Sequence, residues 1–224
     1  MQESQRVSPV SEMRARTIPV RNLDEVIRII KREIERGKKE PVVRELVAKI
    51  LARKIGDRWV VPPKNYEAEV KALFEYVQKN IRYTRDTYGI DTFQRALRTL
   101  QLKIADCDDM AILLGSMLQA AGYPIALKVV DTTGGGFSHI YLLAGVPPQN
   151  PTRWIPLDPT VDRPAGWEIK PVKAYRIFPI GGSPTPVSGT GVGIGDIFKI
   201  APWWAWLALV VALYGFGVFR RLTS

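Results

Sequence analysis

The segment ADCDDMAILLGSMLQAAGYP, residues 105–124, divides the chain and limits the folds open to it. Upstream of it, apolar residues recur at helical spacing; downstream they fall into short runs bounded by Gly, Pro and Asp. The segment itself reads as a helix. Asp106 is placed to cap it, and Met110, Leu113, Leu114, Met117, Leu118 and Ala121 form an apolar stripe. Gly122 suits the residue just past its end, and Pro124 prevents continuation. Helices first and strands afterwards is the order of an α+β domain, with a helix bundle packed on an antiparallel sheet.

The flanking elements follow from the same periodicities. LDEVIRIIKREIERGKKE carries Val26, Ile29, Ile30 and Ile34 near a 3.6-residue period and stops at Gly37. A second amphipathic helix is expected over residues 41–55. A third is expected over 67–83, with Val70, Leu73, Phe74 and Val77 on one face. The charges on these helices read as solvated faces. Strands are expected at 125–130 (IALKVV), 137–145 (FSHIYLLAG) and 153–158 (RWIPLD), with the turn-rich DTTGGG joining the first two.

From Pro179 the composition changes. PIGGSPTPVSGTGVGIGD reads as a flexible linker, and beyond it Ala201–Phe219 is a run of 19 residues without a charge. Such a run reaches ~28 Å as a helix, enough for the hydrocarbon core of a bilayer. Trp203, Trp204 and Trp206 cluster at one end like an interfacial belt, and Arg220 and Arg221 close the other. The expected layout is a helical region over 1–63, an α+β domain over 64–180, a linker over 181–198 and a single transmembrane helix over 199–221. Orientation stays open. The terminal arginines favour a cytoplasmic C-terminus, whereas the first 22 residues hold no apolar leader, which leans the domain itself toward the cytoplasm.

Charge and rare residues narrow the chemistry. With 32 Lys+Arg against 22 Asp+Glu the net charge is +10, which favours anionic surfaces as partners. No basic run is interleaved with aromatics, so specific nucleic-acid reading is not expected. One cysteine excludes an intrachain disulfide and one histidine excludes a multi-His metal site. The three glycines at 134–136 precede a strand rather than open a helix, so they are not a phosphate cradle. No metal and no cofactor are expected.

A single Cys and a single His can pair with each other. Cys107 lies at a predicted helix start, where oriented N–H groups favour a thiolate. His139 lies in a predicted strand, and Asp158 ends the next one, where antiparallel pairing would bring it beside His139 to hold the imidazole. A small core cysteine and an ordinary strand histidine are the plainer alternatives. Asp108 and Asp109 oppose thiol reactivity by their charge, although they also complement the helix dipole.

These residues resemble a family. DCDDMAILLGSMLQAAGYP, FSHIYLLAG and WIPLDPT are similar to the three ordered motifs of the transglutaminase-like superfamily of papain-like thiol enzymes, and FEYVQKNIRYTRD resembles the helix and strand that precede its cysteine. The resemblance spans roughly residues 66–162. It departs at Ala105, where the family commonly has Gly, and at Ile140–Tyr141, where His-Ala-Trp is frequent. It implies acyl chemistry: Cys107 attacks an amide or ester carbonyl, His139 moves the proton and Asp158 orients His139. The backbone N–H of Cys107 is the default oxyanion donor, with Gln101 a side-chain candidate. The acyl group would pass to water, as in a protease or amidase, or to an amine, as in a cross-linking acyltransferase. Compact domains with a D-C-D-D motif also resemble proteins encoded among bacteriophage structural genes. The second reading is therefore a non-catalytic virion or membrane-assembly component that keeps the fold for binding.

Overall fold

The computed structural model describes residues 22–84 and 93–182. Capping chemistry sets where its helices begin. Asn22 accepts a hydrogen bond from the N–H of Glu25 at 3.0 Å and starts α1 (Leu23–Gly37). Pro41 occupies the first turn of α2 (Pro41–Leu51), where its missing N–H costs nothing. Asn65 accepts from Ala68 N–H at 3.2 Å to begin α3 (Tyr66–Asn80). The short α4 (Ala96–Leu102) ends at Lys103, whose φ of 59° turns the chain out of the helix. Asp106 accepts from Asp109 N–H at 2.9 Å and opens α5 (Cys107–Ala120). Gly122, at φ 88°, lies just beyond its end.

Eight strands complete the described chain. Two pairs are short: β1 (Lys54–Ile55) with β2 (Arg58–Trp59), antiparallel, and β3 (Arg82–Tyr83) with β4 (Ile104–Ala105), parallel. The main sheet holds β5 (Ile125–Asp131), β6 (His139–Val146), β7 (Arg153–Leu157) and β8 (Ala174–Ile180). Its order is β7-β6-β5-β8, with every neighbour antiparallel.

Strand alternation sorts this sheet into two faces. Ile125, Leu127, Val129, Ile140, Leu142, Ala144, Ile155 and Leu157 pack with α5 and the other helices in the principal core. Ala126, Val130, Tyr141, Leu143 and Trp154 line the opposite face under Ile169 and Val172, from the chain between β7 and β8. Helix α5 is buried at every position from Asp109 to Leu118, so it runs through the core rather than along its edge.

Helices α1 and α2 share that core through Ile27, Ile30, Ile34, Val43 and Val47. The contact of α1 with α5 is close. A Cβ at Gly37 would stand 2.2 Å from Ser116 Oγ, and one at Gly115 would stand 2.7 Å from Ile34 Cδ1.

Pairing overrides helical periodicity at two places. The second helix ends at Leu51 rather than at 55, because Lys54–Ile55 folds back on Arg58–Trp59 around Gly56 at φ 59°. The third ends at Asn80 rather than at 83, because Arg82 and Tyr83 pair with Ile104 and Ala105. The described residues all lie within the first of the two units into which the chain divides. The expected transmembrane helix at 199–221, and the linker beyond residue 182, lie outside the described residues. Among those described, no helix is long and apolar enough to cross a membrane.

Candidate active site

The three aspartates around Cys107 have separate tasks. Asp106 caps α5. Asp109, 1 % exposed, accepts the N–H of Gln94 at 2.6 Å and so ties the approach to α4 onto the first turn of α5. Asp108 faces the sulfur: the Cys107 thiol donates to Asp108 Oδ1 at 3.7 Å. Burial, then the charges of Asp108 and Asp106, push the thiol well above its ordinary range. The backbone N–H of Ile140 acts in the other direction, by favouring the thiolate. Cys107 therefore rests as a protonated thiol at neutral pH.

The sheet explains why Ile140 can reach the sulfur. Gly145 N–H bonds to the Pro124 carbonyl on the β5 side, so by alternation Ile140 and Leu142 direct their N–H groups toward β7. The pairing of β6 with β7 stops at Leu142–Leu157. One step further along β6, the N–H of Ile140 meets Cys107 instead of a strand.

His139 begins β6, and its Nε2 lies 2.7 Å from Asp158 Oδ2. Asp158 follows the last residue of β7 and is 4 % exposed. Its other oxygen, Oδ1, accepts from the Thr160 hydroxyl at 2.7 Å and from Thr160 N–H at 3.2 Å. Both carboxylate oxygens are thus engaged, and Asp158 cannot swing away from His139 without breaking the Thr160 turn. With Nε2 committed to Asp158, Nδ1 is the ring nitrogen left for a substrate or a thiol. Among the described residues, the thiol's side-chain partner is Asp108 rather than His139. The structure thus brings His139 and Asp158 into direct contact and sets Cys107 against the neighbouring Ile140. Gln101 is exposed on α4, and no hydrogen bond joins it to these three.

Sequence reasoning did not find the residues that support this pair. Gln78 of α3 donates to the carbonyls of Val161 and Arg163 at 2.6 and 2.8 Å, pinning the chain just past Asp158. Thr160 stands in the WIPLDPT run, but nothing local to that run marks its bond to Asp158. Behind them, Glu168 binds both Lys128 and Tyr141. Glu168 lies in a stretch without periodicity, so no local pattern marks it. On the β5–β6 connection, Asp131 accepts the N–H groups of Thr133, Gly134 and Gly136, which organises the turn leading into His139. Those bonds hold its carboxyl below the usual range. An open cleft of about 630 Å³, lined by Tyr66, Glu67, Val146, Pro147 and Arg153 among others, lies at the opposite end of β6 and contains none of the three candidates. Among the described residues, no cluster of His, Cys, Asp and Glu could hold a metal ion.

Comparison with known proteins places the domain. The family model for the transglutaminase-like superfamily matches residues 53–159. No curated protein matches the chain. Similar solved structures include a candidate protease from Parabacteroides distasonis, at 14% identity and a TM-score of 0.43, over 60% of this chain and 26% of that one. A candidate cysteine protease from Cytophaga hutchinsonii is 16% identical with a TM-score of 0.39, over 76% of this chain and 61% of the other. A Rad4–Rad23 complex bound to a 6-4 photoproduct lesion matches at 12% identity and a TM-score of 0.36, over 60% of this chain and 38% of that one. The chain thus spans between a quarter and about three fifths of these structures.

Proposed function

Residues 53–159 belong to the transglutaminase-like superfamily, and from that premise we propose that this chain is a thiol enzyme acting on protein or peptide amides through Cys107, His139 and Asp158. The observation that carries the reading is the 2.7 Å contact between His139 Nε2 and Asp158 Oδ2 at the strand end where Ile140 meets the sulfur. With Nε2–H donated to Asp158, Nδ1 is free to accept the thiol proton. Because the resting thiol is protonated, proton transfer accompanies attack. The sulfur adds to the carbonyl carbon as its proton passes to Nδ1, and the developing oxyanion is met by first-turn N–H groups of α5. The C–N bond then breaks, the leaving amine takes the proton from His139, and an acyl-Cys107 remains. Water or a second amine, deprotonated by His139, releases the acyl group and restores the thiol. The uncharged run at 201–219 would hold the domain near a bilayer, where the linker lets it sweep a volume while staying concentrated.

Acyl capture from p-nitrophenyl acetate tests this proposal. Mass spectrometry should find one acetyl group on Cys107, with none on Cys107→Ala. The capture rate should fall by about 10²–10⁴ in His139→Ala and in Asp158→Asn. Capture that ignores His139, or lands elsewhere, would leave the domain a binding scaffold.

A further inference from the structure

Tyr141 lies two residues beyond His139 on β6 and is 1 % exposed. Its hydroxyl donates to Glu168 Oε1 at 3.0 Å. The same oxygen accepts from Lys128 Nζ at 2.5 Å, and Lys128 stands opposite Tyr141 in the β5–β6 register. Both members of the ion pair are largely out of water, with side chains 11% and 15% exposed. The ammonium also lies 4.9 Å from the Tyr175 ring and 5.7 Å from that of Tyr141. A lysine held this way needs its counter-charge, since removing one partner leaves an uncompensated ion in a poorly solvated place.

This pair stands directly behind the candidate site. The Tyr141 and His139 ring centroids are 5.9 Å apart. Asp158 lies near enough to Tyr141 for its charge to act on the Tyr141 hydroxyl. A net positive charge at Lys128 would therefore bear on the same carboxylate that His139 uses.

We propose that Glu168 is a positioning residue for His139. By neutralising Lys128 and fixing the Tyr141 hydroxyl, it keeps a buried cation from competing with the imidazolium for Asp158. The catalytic consequence rests on the function proposed above, whereas the charge coupling does not. The other groups around His139 are accounted for. Asp158 binds it, Cys107, Asp106 and Asp108 lie at the start of α5, and Asp131 is occupied by backbone N–H groups. Tyr175 on β8 borders Lys128.

The chain has one histidine, so the imidazole titration followed by NMR on the whole protein reports His139 alone. Glu168→Gln leaves Lys128 unbalanced and should move the midpoint down by up to about one pH unit. Lys128→Met leaves Glu168 unbalanced and should move it up by a similar amount. The double variant should return close to the wild-type midpoint, and Lys128→Arg, which keeps the charge, should not move it. Should Lys128→Met fail to unfold cooperatively in urea, Glu168→Gln and the double variant, which buries no unpaired ion, still decide the matter. One common midpoint for all variants, or an upward shift in Glu168→Gln, would overturn the proposal. The acid limb of acetyl capture should move with the titration. Shifts in the titration with no capture by wild type would retain the coupling and reject the enzyme.

Discussion

At the scale of the residue, the site is defined by where each carboxylate is spent. Asp158 gives one oxygen to His139 and the other to Thr160, which leaves it no freedom to rotate. Asp108 faces the sulfur, and its charge, after burial, is the largest influence raising the thiol. Asp108→Asn removes that charge while keeping the shape. The thiolate fraction at a given pH should then rise, so iodoacetamide should alkylate Cys107 about three- to tenfold faster near pH 8. Ile140 N–H remains in place in this variant, so the gain reports the carboxylate alone. An unchanged rate would mean that burial and Asp106, rather than Asp108, set the thiol.

At the scale of the element, the contact of α1 with α5 is the one that leaves least room. Glycine at 37 brings the end of α1 within a Cβ radius of Ser116, whose hydroxyl donates to the Ile112 carbonyl at 2.7 Å. A methyl group there would meet Ser116 Oγ at 2.2 Å, Ser116 Cβ at 2.8 Å and Ala96 Cβ at 3.1 Å, two of them anchored directly to backbone. Gly37→Ala should therefore force the helices apart and cost about 1–3 kcal/mol in urea unfolding, although alanine is the better helix former. A gain in stability would mean that the two helices can separate freely. The same packing makes α1, which precedes the matched residues 53–159, part of the domain's core.

At the scale of the whole molecule, two buried tyrosines and a partly buried thiol tie stability to alkaline pH. Burial, followed in each case by nearby carboxylates, raises Cys107 from 9.0, and Tyr123 and Tyr141 from 10.0. Tyr123 donates to Glu69, and Tyr141 to Glu168. The unfolded chain releases these protons near the ordinary values while the folded chain retains them, so the native state binds more protons there. Their contribution is complete below about pH 9 and is lost as pH rises. Urea midpoints should fall between pH 8 and pH 10.5, and less steeply in Tyr123→Phe. A flat profile would show that these groups titrate as freely folded as unfolded.

The sequence carried the features that depend on neighbours a few residues away. Asp106 as cap, Gly122 past the helix end, and the strand runs around 125–130, 137–145 and 153–158 are all set by local hydrogen bonding and by alternation of side chains. The order of motifs around Cys107, His139 and Asp158 was legible through their resemblance to the transglutaminase-like superfamily. Only the tertiary structure decided the rest. The two-residue strands at 54–55 and 82–83 exist because a partner pairs with them, and β8 because β5 offers it an edge. The raised thiol follows from burial, and the Lys128–Glu168 pair joins residues 40 positions apart in sequence. Periodicity records which face of an element is apolar, but what lies against that face is settled by packing, and the electrostatics of this site follow from the packing.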